Sequence, residues 1–303
     1  LNELGYIMQQ FTASIQNQDD RLKLENEMQN RMEKYFSDHK RELELTGIVK
    51  ISTDDLSMKA SGEVPGVLLN QFSLAEYEGF LRAAVTVGGG GVFAGGFGGG
   101  SRATANDVYV LDADMKTVGS VKDLGLEERI YSSRFVMDKA YVVTFRQTDP
   151  FYVIDLSSPE NPKLAGELKI PGYSSYLHPI SEERVIGVGK EDSNVKVSLF
   201  NVRDPNVPTE VAKYTLTEYW SEILNTHHAF LLDKKHNVFF MPGGNAGYIF
   251  SYRDDKLEMI KAVSDIQAKR ALFINDYLYV VGDNKIVVLD ESNWERVKDF
   301  DLQ

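Results

Sequence analysis

The chain has 303 residues, of which 43% are hydrophobic, so it can bury a substantial core. Its net charge of −12 argues against a nucleic-acid partner, because phosphate-backbone binding requires clustered lysine and arginine. The sequence has no cysteine, which excludes disulfides, thiolate metal sites and cysteine nucleophiles. No apolar run approaches the ~20 residues of a transmembrane helix, so we expect no membrane segment.

Residues 1–46 carry a helical pattern. Apolar side chains recur every four residues from Leu24 to Phe36, and charged residues fill the opposite face. Asp19 or Asp20 is the predicted N-cap, and Thr46-Gly47 is the predicted helix stop. A shorter helix precedes this one. We expect a helical insertion, folded as a hairpin and packed on the remaining domain, although a short coiled-coil partner helix is an alternative.

From residue 47 onward the apolar period is two, and one pattern repeats. An apolar strand is followed by a polar turn and a second strand, most fully at 151–170 and again at 197–216. A second hairpin precedes the later copies, with tight turns predicted at Asp138-Lys139 and Asn275-Asp276. The strand-end residues that align across the copies are Ser52, Asp112, Asp155, Asn201, Ser251 and Asp290.

The spacing of these copies predicts an all-β fold, a β-propeller of four-stranded blades. Most intervals are close to the ~40–50 residues of a propeller blade. A single small sheet has two faces to cover, and radial stacking buries each face against a neighbouring sheet. Five complete blades fit residues 68–303, and 47–66 supply half of a sixth, so the propeller domain is 47–303.

The half blade predicts that this sequence is a fragment. Residues 47–66 should then carry an unpaired strand edge, or pair with a second chain. We expect that missing N-terminal blades, or that second chain, complete the ring.

Several strings resemble a known family. Phe151-Tyr-Val-Ile-Asp-Leu-Ser-Ser-Pro-Glu-Asn-Pro is similar to the propeller repeat named for Leu-Val-Ile-Val-Asp. The whole chain resembles archaeal and bacterial secreted proteins with a C-terminal β-propeller domain, distantly related to tryptophan-aspartate repeats. The further matching strings are Thr46-Gly-Ile-Val-Lys-Ile, Gly62-Glu-Val-Pro-Gly, Leu69-Asn-Gln-Phe-Ser, Val143-Thr-Phe-Arg-Gln-Thr-Asp-Pro, Pro171-Gly-Tyr-Ser-Ser-Tyr-Leu-His-Pro and His227-His-Ala-Phe-Leu. The resemblance implies an extracellular or cell-surface protein, and implies no activity.

Five basic residues are the candidate ligand-binding residues. His178, His227 and His228 fall in segments predicted as the innermost strands of their blades, and Arg134 and Arg270 occupy comparable places. Innermost strands line the central channel of a propeller, so these side chains are candidates to bind a ligand there. Three imidazoles are also able to bind a transition metal, but structural hydrogen bonding is the simpler interpretation. His39 and His236 are interpreted as surface residues.

Two other features have ordinary explanations. The glycine-rich segment Gly88–Gly100 lacks the Gly-Lys-Ser/Thr of a phosphate-binding loop, so we interpret it as a loop whose Phe93 and Phe97 offer a small contact. Acidic residues recur at turns, where Asp favours turn formation, although Ca²⁺ binding is an alternative. These residues are Asp112, Asp114, Asp155, Asp204, Asp254, Asp255 and Asp290.

The sequence therefore favours a non-enzymatic binding or scaffolding module with a protein or glycan ligand. The alternatives are a polysaccharide hydrolase or lyase with its carboxylates at the channel mouth, and a metal-binding channel site. Tyr219 and Trp220 are interpreted as packing between blades, with sugar stacking as the alternative. The candidate carboxylates are Glu127, Glu128, Glu182, Glu183, Glu218 and Glu222.

Overall fold

The computed structural model describes residues 2–88, 104–145 and 149–302. Contacts divide the chain into two compact units. The first comprises Leu1–Ile130 with Leu156–Lys163, and the second comprises Tyr131–Asp155 with Leu164–Gln303. The predicted glycine-rich loop, with Phe93 and Phe97, lies outside the described residues beyond Gly88.

The first unit opens with three helices, α1 (Asn2–Ala13), α2 (Gln18–Asp38) and α3 (Lys40–Leu43). The predicted N-cap was wrong: Asn17 caps α2 by accepting the N–H of Asp19, and both aspartates lie in the first helical turn. Carboxylates there favour the positive end of the helix dipole. The helical segment ends before the predicted stop, since β1 already begins at Leu45.

Helix α2 has no buried residue, and the expected packing of the helical hairpin on the blades stays a prediction. Helix α3 contacts a sheet of its unit through Arg41, which bonds Asp107, and through Lys40, whose Nζ lies 3.8 Å from Asp123 Oδ1. The division of the chain into a helical insertion, 1–46, and a propeller domain, 47–303, stays a prediction.

Two sheets complete the first unit. Strands β1 (Leu45–Ile51) and β2 (Met58–Pro65) form an antiparallel two-stranded sheet, as predicted for the half blade. Within the described residues, neither strand pairs with any other strand. The remaining strands of this unit are β3 (Val67–Leu68), β4 (Leu74–Tyr77), β5 (Phe80–Val87), β6 (Ala105–Leu111) and β7 (Thr117–Leu124).

The second sheet is a four-stranded blade whose first strand is interrupted. β3 and β4 both pair with β5, at successive positions along it, and a 3₁₀ turn at Gln71–Ser73 separates them. Asn70 accepts the N–H of Phe72 and starts that turn. Strand order then runs through β5, β6 and β7.

Within the described residues, four antiparallel sheets of four strands each form the second unit, except that Arg129, Ile130 and Lys163 of these strands fall in the first unit. Each is a meander in which consecutive strands are neighbours, the topology of propeller blades. The strands are β8 (Arg129–Val136), β9 (Lys139–Phe145), β10 (Asp149–Asp155), β11 (Lys163–Ile170), β12 (Tyr173–Pro179), β13 (Arg184–Glu191), β14 (Asn194–Asn201), β15 (Thr209–Thr215), β16 (Leu231–Asp233), β17 (Val238–Pro242), β18 (Gly247–Ser251), β19 (Glu258–Val263), β20 (Ala268–Ile274), β21 (Tyr277–Gly282), β22 (Lys285–Asp290) and β23 (Glu295–Asp301).

The predicted blade pattern of five four-stranded sheets and one two-stranded sheet is therefore confirmed. The turn at Asn275-Asp276 is confirmed, with Asn275 in the left-handed region at φ 57°. The turn predicted at Asp138-Lys139 lies one residue earlier, at Met137-Asp138. Three of the acidic turn residues act as predicted, since Asp112, Asp204 and Asp290 each accept a backbone N–H two residues on. Asp255 instead binds the side chain of Arg184.

The sheets of the second unit pack face to face. One apolar cluster joins β9 and β10 to β12–β14 through Phe151 and Phe200, whose rings stack at 4.5 Å. The next joins β13 and β14 to β17 and β18, and a third joins β17 and β18 to β21 and β22. Central strands are consequently buried on both faces; six consecutive residues of β14 are buried.

The proline-containing turns of the repeat have a packing role. A Cβ atom on Gly166 of β11 would lie only 2.3 Å from the carbonyl oxygen of Pro205. In the first unit, a Cβ on Gly119 of β7 would lie 2.2 Å from the carbonyl oxygen of Pro159. Each turn thus lies directly on the outer strand of the preceding copy, and only glycine leaves the backbone room for it.

Candidate functional site

Three of the five predicted site residues lie on the first strands of their sheets. Arg134 is on β8, His178 on β12 and Arg270 on β20. His227 and His228 were expected on a strand and are not: they belong to a 3₁₀ turn, His227–Ala229, that precedes β16. The N–H of Phe230 bonds to the carbonyl of His227 at 3.1 Å, and β16 is thereby shortened to three residues.

A tyrosine links two of the predicted residues. The hydroxyl of Tyr176 lies 2.8 Å from His178 Nδ1, and the guanidinium of Arg134 lies 5.1 Å from the centre of the Tyr176 ring. Arg134 and Tyr176 are buried, and the His178 ring packs on Phe230 at 4.6 Å between centroids. The sequence analysis missed Tyr176. Its spacing of two from His178 on one strand, which places both on the same face, was the available signal.

The remaining three residues belong to the same cluster. The rings of His227 and His228 are 3.9 Å apart, and His228 is exposed. Burial lowers the pKa of His227, and the charges of His228, Arg134 and Arg270 lower it further. Arg270 Nη1 donates to the carbonyl of Lys269 at 2.7 Å and lies 4.0 Å from Glu222 Oε1.

We call Arg134, Tyr176, His178, His227, His228 and Arg270 the first-strand cluster. Direct contacts join Arg134, Tyr176 and His178, and the charges of both arginines lower the pKa of His227. That these side chains line a central channel stays a prediction.

The electrostatics of the first-strand cluster favour neutral imidazole at its centre. Burial lowers the pKa of His178 to about 4, with further contributions from the positive charges of Arg134 and Lys234. A neutral imidazole keeps one donor and one acceptor nitrogen. The fixed positive charge then comes from the two arginines, an arrangement that suits a carboxylate or another oxyanion.

Within the described residues, the histidines of the first-strand cluster do not belong to a group of three potential metal ligands. One group of three potential ligands occurs there, and it consists of Asp233, His236 and Glu291. The interpretation of His236 as a surface residue was therefore wrong: its side chain is 21% exposed and its Nδ1 lies 2.5 Å from Asp233 Oδ2. Asp233 ends a strand three residues before His236, and Glu291 is far away in sequence, so no spacing motif of a metal site was visible.

Three of the six carboxylates proposed for the hydrolase alternative have described partners. Glu218 accepts the Tyr248 hydroxyl at 2.6 Å, Glu183 lies 2.9 Å from Arg203 Nη2, and Glu222 lies near Arg270. The expected packing of Tyr219 between blades is wrong, because 70% of this residue is exposed and Lys190 Nζ lies 3.7 Å from its ring centre.

Comparison with known proteins agrees with the repeat and the blade topology, which define a β-propeller. The chain belongs to the family described as "Beta propeller domain", whose model matches residues 6–294. It is 52% identical over 303 residues to an uncharacterized protein of Archaeoglobus fulgidus and 44% identical over 306 residues to an uncharacterized protein of Methanocaldococcus jannaschii. These alignments cover 99% of the chain and 46% and 47% of the two relatives, so the chain spans about half of their length.

A solved structure supports the fold alone. The structure of apo AztD from Citrobacter koseri aligns with a TM-score of 0.53 at 14% identity, covering 81% of this chain and 62% of that one. Among the described residues, no helix is both long and apolar enough to cross a membrane. The propeller fold supports a binding or scaffolding module.

Proposed function

We propose that this protein is a non-enzymatic binding module, exposed on the cell surface or in the medium, whose first-strand cluster binds a carboxylate group of its ligand. The observation that carries the proposal is the contact of Arg134 with Tyr176 and of Tyr176 with His178. The charges of Arg134 and Arg270 also lower the pKa of the neighbouring His227. The extracellular assignment is supported by the family resemblance of the repeat strings.

The net charge of the chain sharpens this proposal. A surface with a net charge of −12 repels anionic polymers at long range, so any attraction must come from a local site. Arg270, with 38% of its side chain exposed, and the exposed His228 are the groups that a ligand meets first. Arg134 is buried behind them and contributes charge through a medium of low polarity.

Binding of two labelled carboxylate polymers, polyglutamate and polygalacturonate, tests the site and distinguishes a protein ligand from a glycan. We expect at least one to bind the wild type and neutral dextran not to bind. Arg270→Gln should weaken that binding by about tenfold, the loss of one charge-assisted hydrogen bond.

Arg203→Gln is the matched control, because it removes an arginine of the same unit whose side chain is 71% exposed and pairs with Glu183. Equal affinity of the wild type and Arg270→Gln, or binding of neither polymer, would overturn the site. Location is tested separately, by digestion of the protein on intact cells of its source with added protease. Protection until the cells are lysed would overturn the surface assignment.

A further inference from the structure

The second polar cluster of the described residues lies where two adjacent sheets of the second unit meet. Asp233 ends β16, His236 follows in the turn to β17, and Glu291 follows the end of β22. The sheets that carry them share one apolar core, which includes Leu231, Val238 and Leu289. Each of the three residues therefore lies within two residues of a side chain that packs in this core, which fixes its backbone position.

Two of the three side chains are carboxylates that are almost fully buried. Asp233 is 4% exposed and Glu291 is 3% exposed. His236 Nδ1 lies 2.5 Å from Asp233 Oδ2 and 3.8 Å from Glu291 Oε2. One ligand atom from each of the three lies within 4.8 Å of the others. Burying two acids side by side is costly unless a positive charge compensates them.

The bonds already made explain only part of this arrangement. Asp233 Oδ1 accepts the N–H groups of Lys235 and His236, which fixes the carboxylate and leaves Oδ2 facing the imidazole. Glu291 Oε1 is buried and has no hydrogen-bond partner among the described residues. The nearby Lys235 ammonium is paired with Asp276, and Arg253 donates to the carbonyl oxygen of His236.

We propose that Asp233, His236 and Glu291 bind a divalent transition-metal ion such as zinc or manganese. One imidazole nitrogen and two carboxylates form a donor set of borderline hardness that suits these ions. With ligand distances near 2.0–2.2 Å, donor atoms around one ion lie about 3–4 Å apart. The Asp233–His236 contact therefore opens by about 1 Å on binding, and the ion takes up the unpartnered Glu291 oxygen.

Direct metal binding tests the proposal on the whole chain. Protein freed of metal with EDTA is titrated separately with Zn²⁺, Mn²⁺ and Ca²⁺ by calorimetry. We expect one zinc or manganese ion per chain and weaker binding of calcium, because calcium prefers a full shell of oxygen ligands. His236→Gln and Glu291→Gln should each weaken zinc binding by at least about tenfold.

The matched control is His227→Gln with His228→Gln. These neighbouring histidines are the obvious adventitious zinc ligands, and their loss should leave the affinity unchanged. Zinc binding that survives both His236→Gln and Glu291→Gln, or that vanishes in the control, would overturn the proposal. So would the absence of zinc and manganese binding at millimolar metal.

A second experiment keeps all three proposed ligands, so its result does not depend on whether the ligand variants fold. It measures the fluorescence of Trp294 on addition of Co²⁺. The Trp294 ring lies 6.1 Å from the His236 ring, edge to face, and the chain has only two tryptophans. With Trp220→Phe, the remaining fluorescence reports on Trp294, and Co²⁺ should quench it with a stoichiometry of one ion per chain. Unchanged Trp294 fluorescence at saturating Co²⁺ would place the metal elsewhere and overturn the proposal.

Discussion

Helix α2 of the first unit and strand β14 of the second unit show two opposite ways of specifying structure. α2 has no buried residue, and its stability comes from neighbours in sequence: the Asn17 cap and the ion pairs Arg21–Glu25 and Lys34–Asp38. Capping contributes about 1 kcal/mol and each such pair about 0.3–0.5 kcal/mol. β14 instead is buried over six consecutive residues, between sheets distant in sequence.

This difference predicts how strongly a single substitution destabilises each region. Local interactions survive the loss of distant contacts, so single substitutions in α2 should have small effects. In β14 the apolar side chains belong to cores shared with two neighbouring sheets, Val197 and Leu199 on one face and Phe200 on the other. The four predictions below test this contrast, from the largest expected effect to the smallest.

The largest effect is expected at Phe200 of β14. This side chain is fully buried and stacks on Phe151 at 4.5 Å. Phe200→Ala should lower the free energy of unfolding by about 3–5 kcal/mol, because it removes apolar contacts and leaves a cavity. Urea unfolding followed by circular dichroism measures this, with Val207→Ala, at a 64% exposed residue, as the control expected within about 0.5 kcal/mol. Similar costs for the two variants would break the comparison.

The second effect concerns Arg41, a residue of α3 that contacts the sheet of the first unit. Its guanidinium bonds both oxygens of Asp107 at 2.7 and 2.9 Å, and the Asp107 side chain is fully buried. Burial alone raises the pKa of Asp107, but hydrogen bonds from Arg41, the Asp123 N–H and Tyr109 outweigh it and lower the pKa. Arg41→Ala should lower the free energy of unfolding by about 2–3 kcal/mol. The cost is below that of leaving a buried carboxylate with no partner, because the Tyr109 hydroxyl and the Asp123 N–H still donate to Asp107.

The pH dependence of Arg41→Ala provides its own control. Asp107 contributes stability above the unfolded carboxyl pKa near 4, and this contribution is lost as pH falls through its lower folded pKa. The difference between Arg41→Ala and the wild type should therefore shrink as the pH is lowered below about 4. A difference that stays constant there would show that the pair does not stabilise through the carboxylate charge.

The third effect is a pH dependence centred on His178. Burial lowers the pKa of its imidazole to about 4 in the folded protein, whereas a histidine in the unfolded chain has a pKa near 6.5. Between these values the unfolded state binds more protons, so stability is full above about pH 6.5 and falls as the pH is lowered towards 4. Because the side chain is partly exposed, we expect a loss of about 1–2 kcal/mol. His178→Asn should remove this part of the slope in urea unfolding at pH 7 and pH 4; an unchanged slope would contradict the assignment.

The same contrast explains what the sequence could predict. The apolar strand and proline turn of Phe151–Pro162 recur at Val197–Pro208, and this repeat specifies blades. A strand that is buried on both faces must be apolar along its length. The places of Arg134, His178 and Arg270 on the first strands of their sheets followed from the repeat. The 3₁₀ turn at His227 was not predicted, because its two histidines fit either structure. The Asp233–His236–Glu291 cluster was hidden because Glu291 joins it across two sheets, and only the packed structure defines that distance.

The smallest effect is expected on the apolar stripe of α2, at Met28. This side chain is only partly buried, among Leu24, Met32 and Phe36 of the same helix. Met28→Ala should change the free energy of unfolding by less than about 0.5 kcal/mol, because alanine is a better helix former and little contact is lost. Met28→Gly separates helix formation from burial and should cost about 1 kcal/mol. A cost well above 1.5 kcal/mol for Met28→Ala, in the same urea assay, would show that the stripe packs on another surface, and the contrast with β14 would fail.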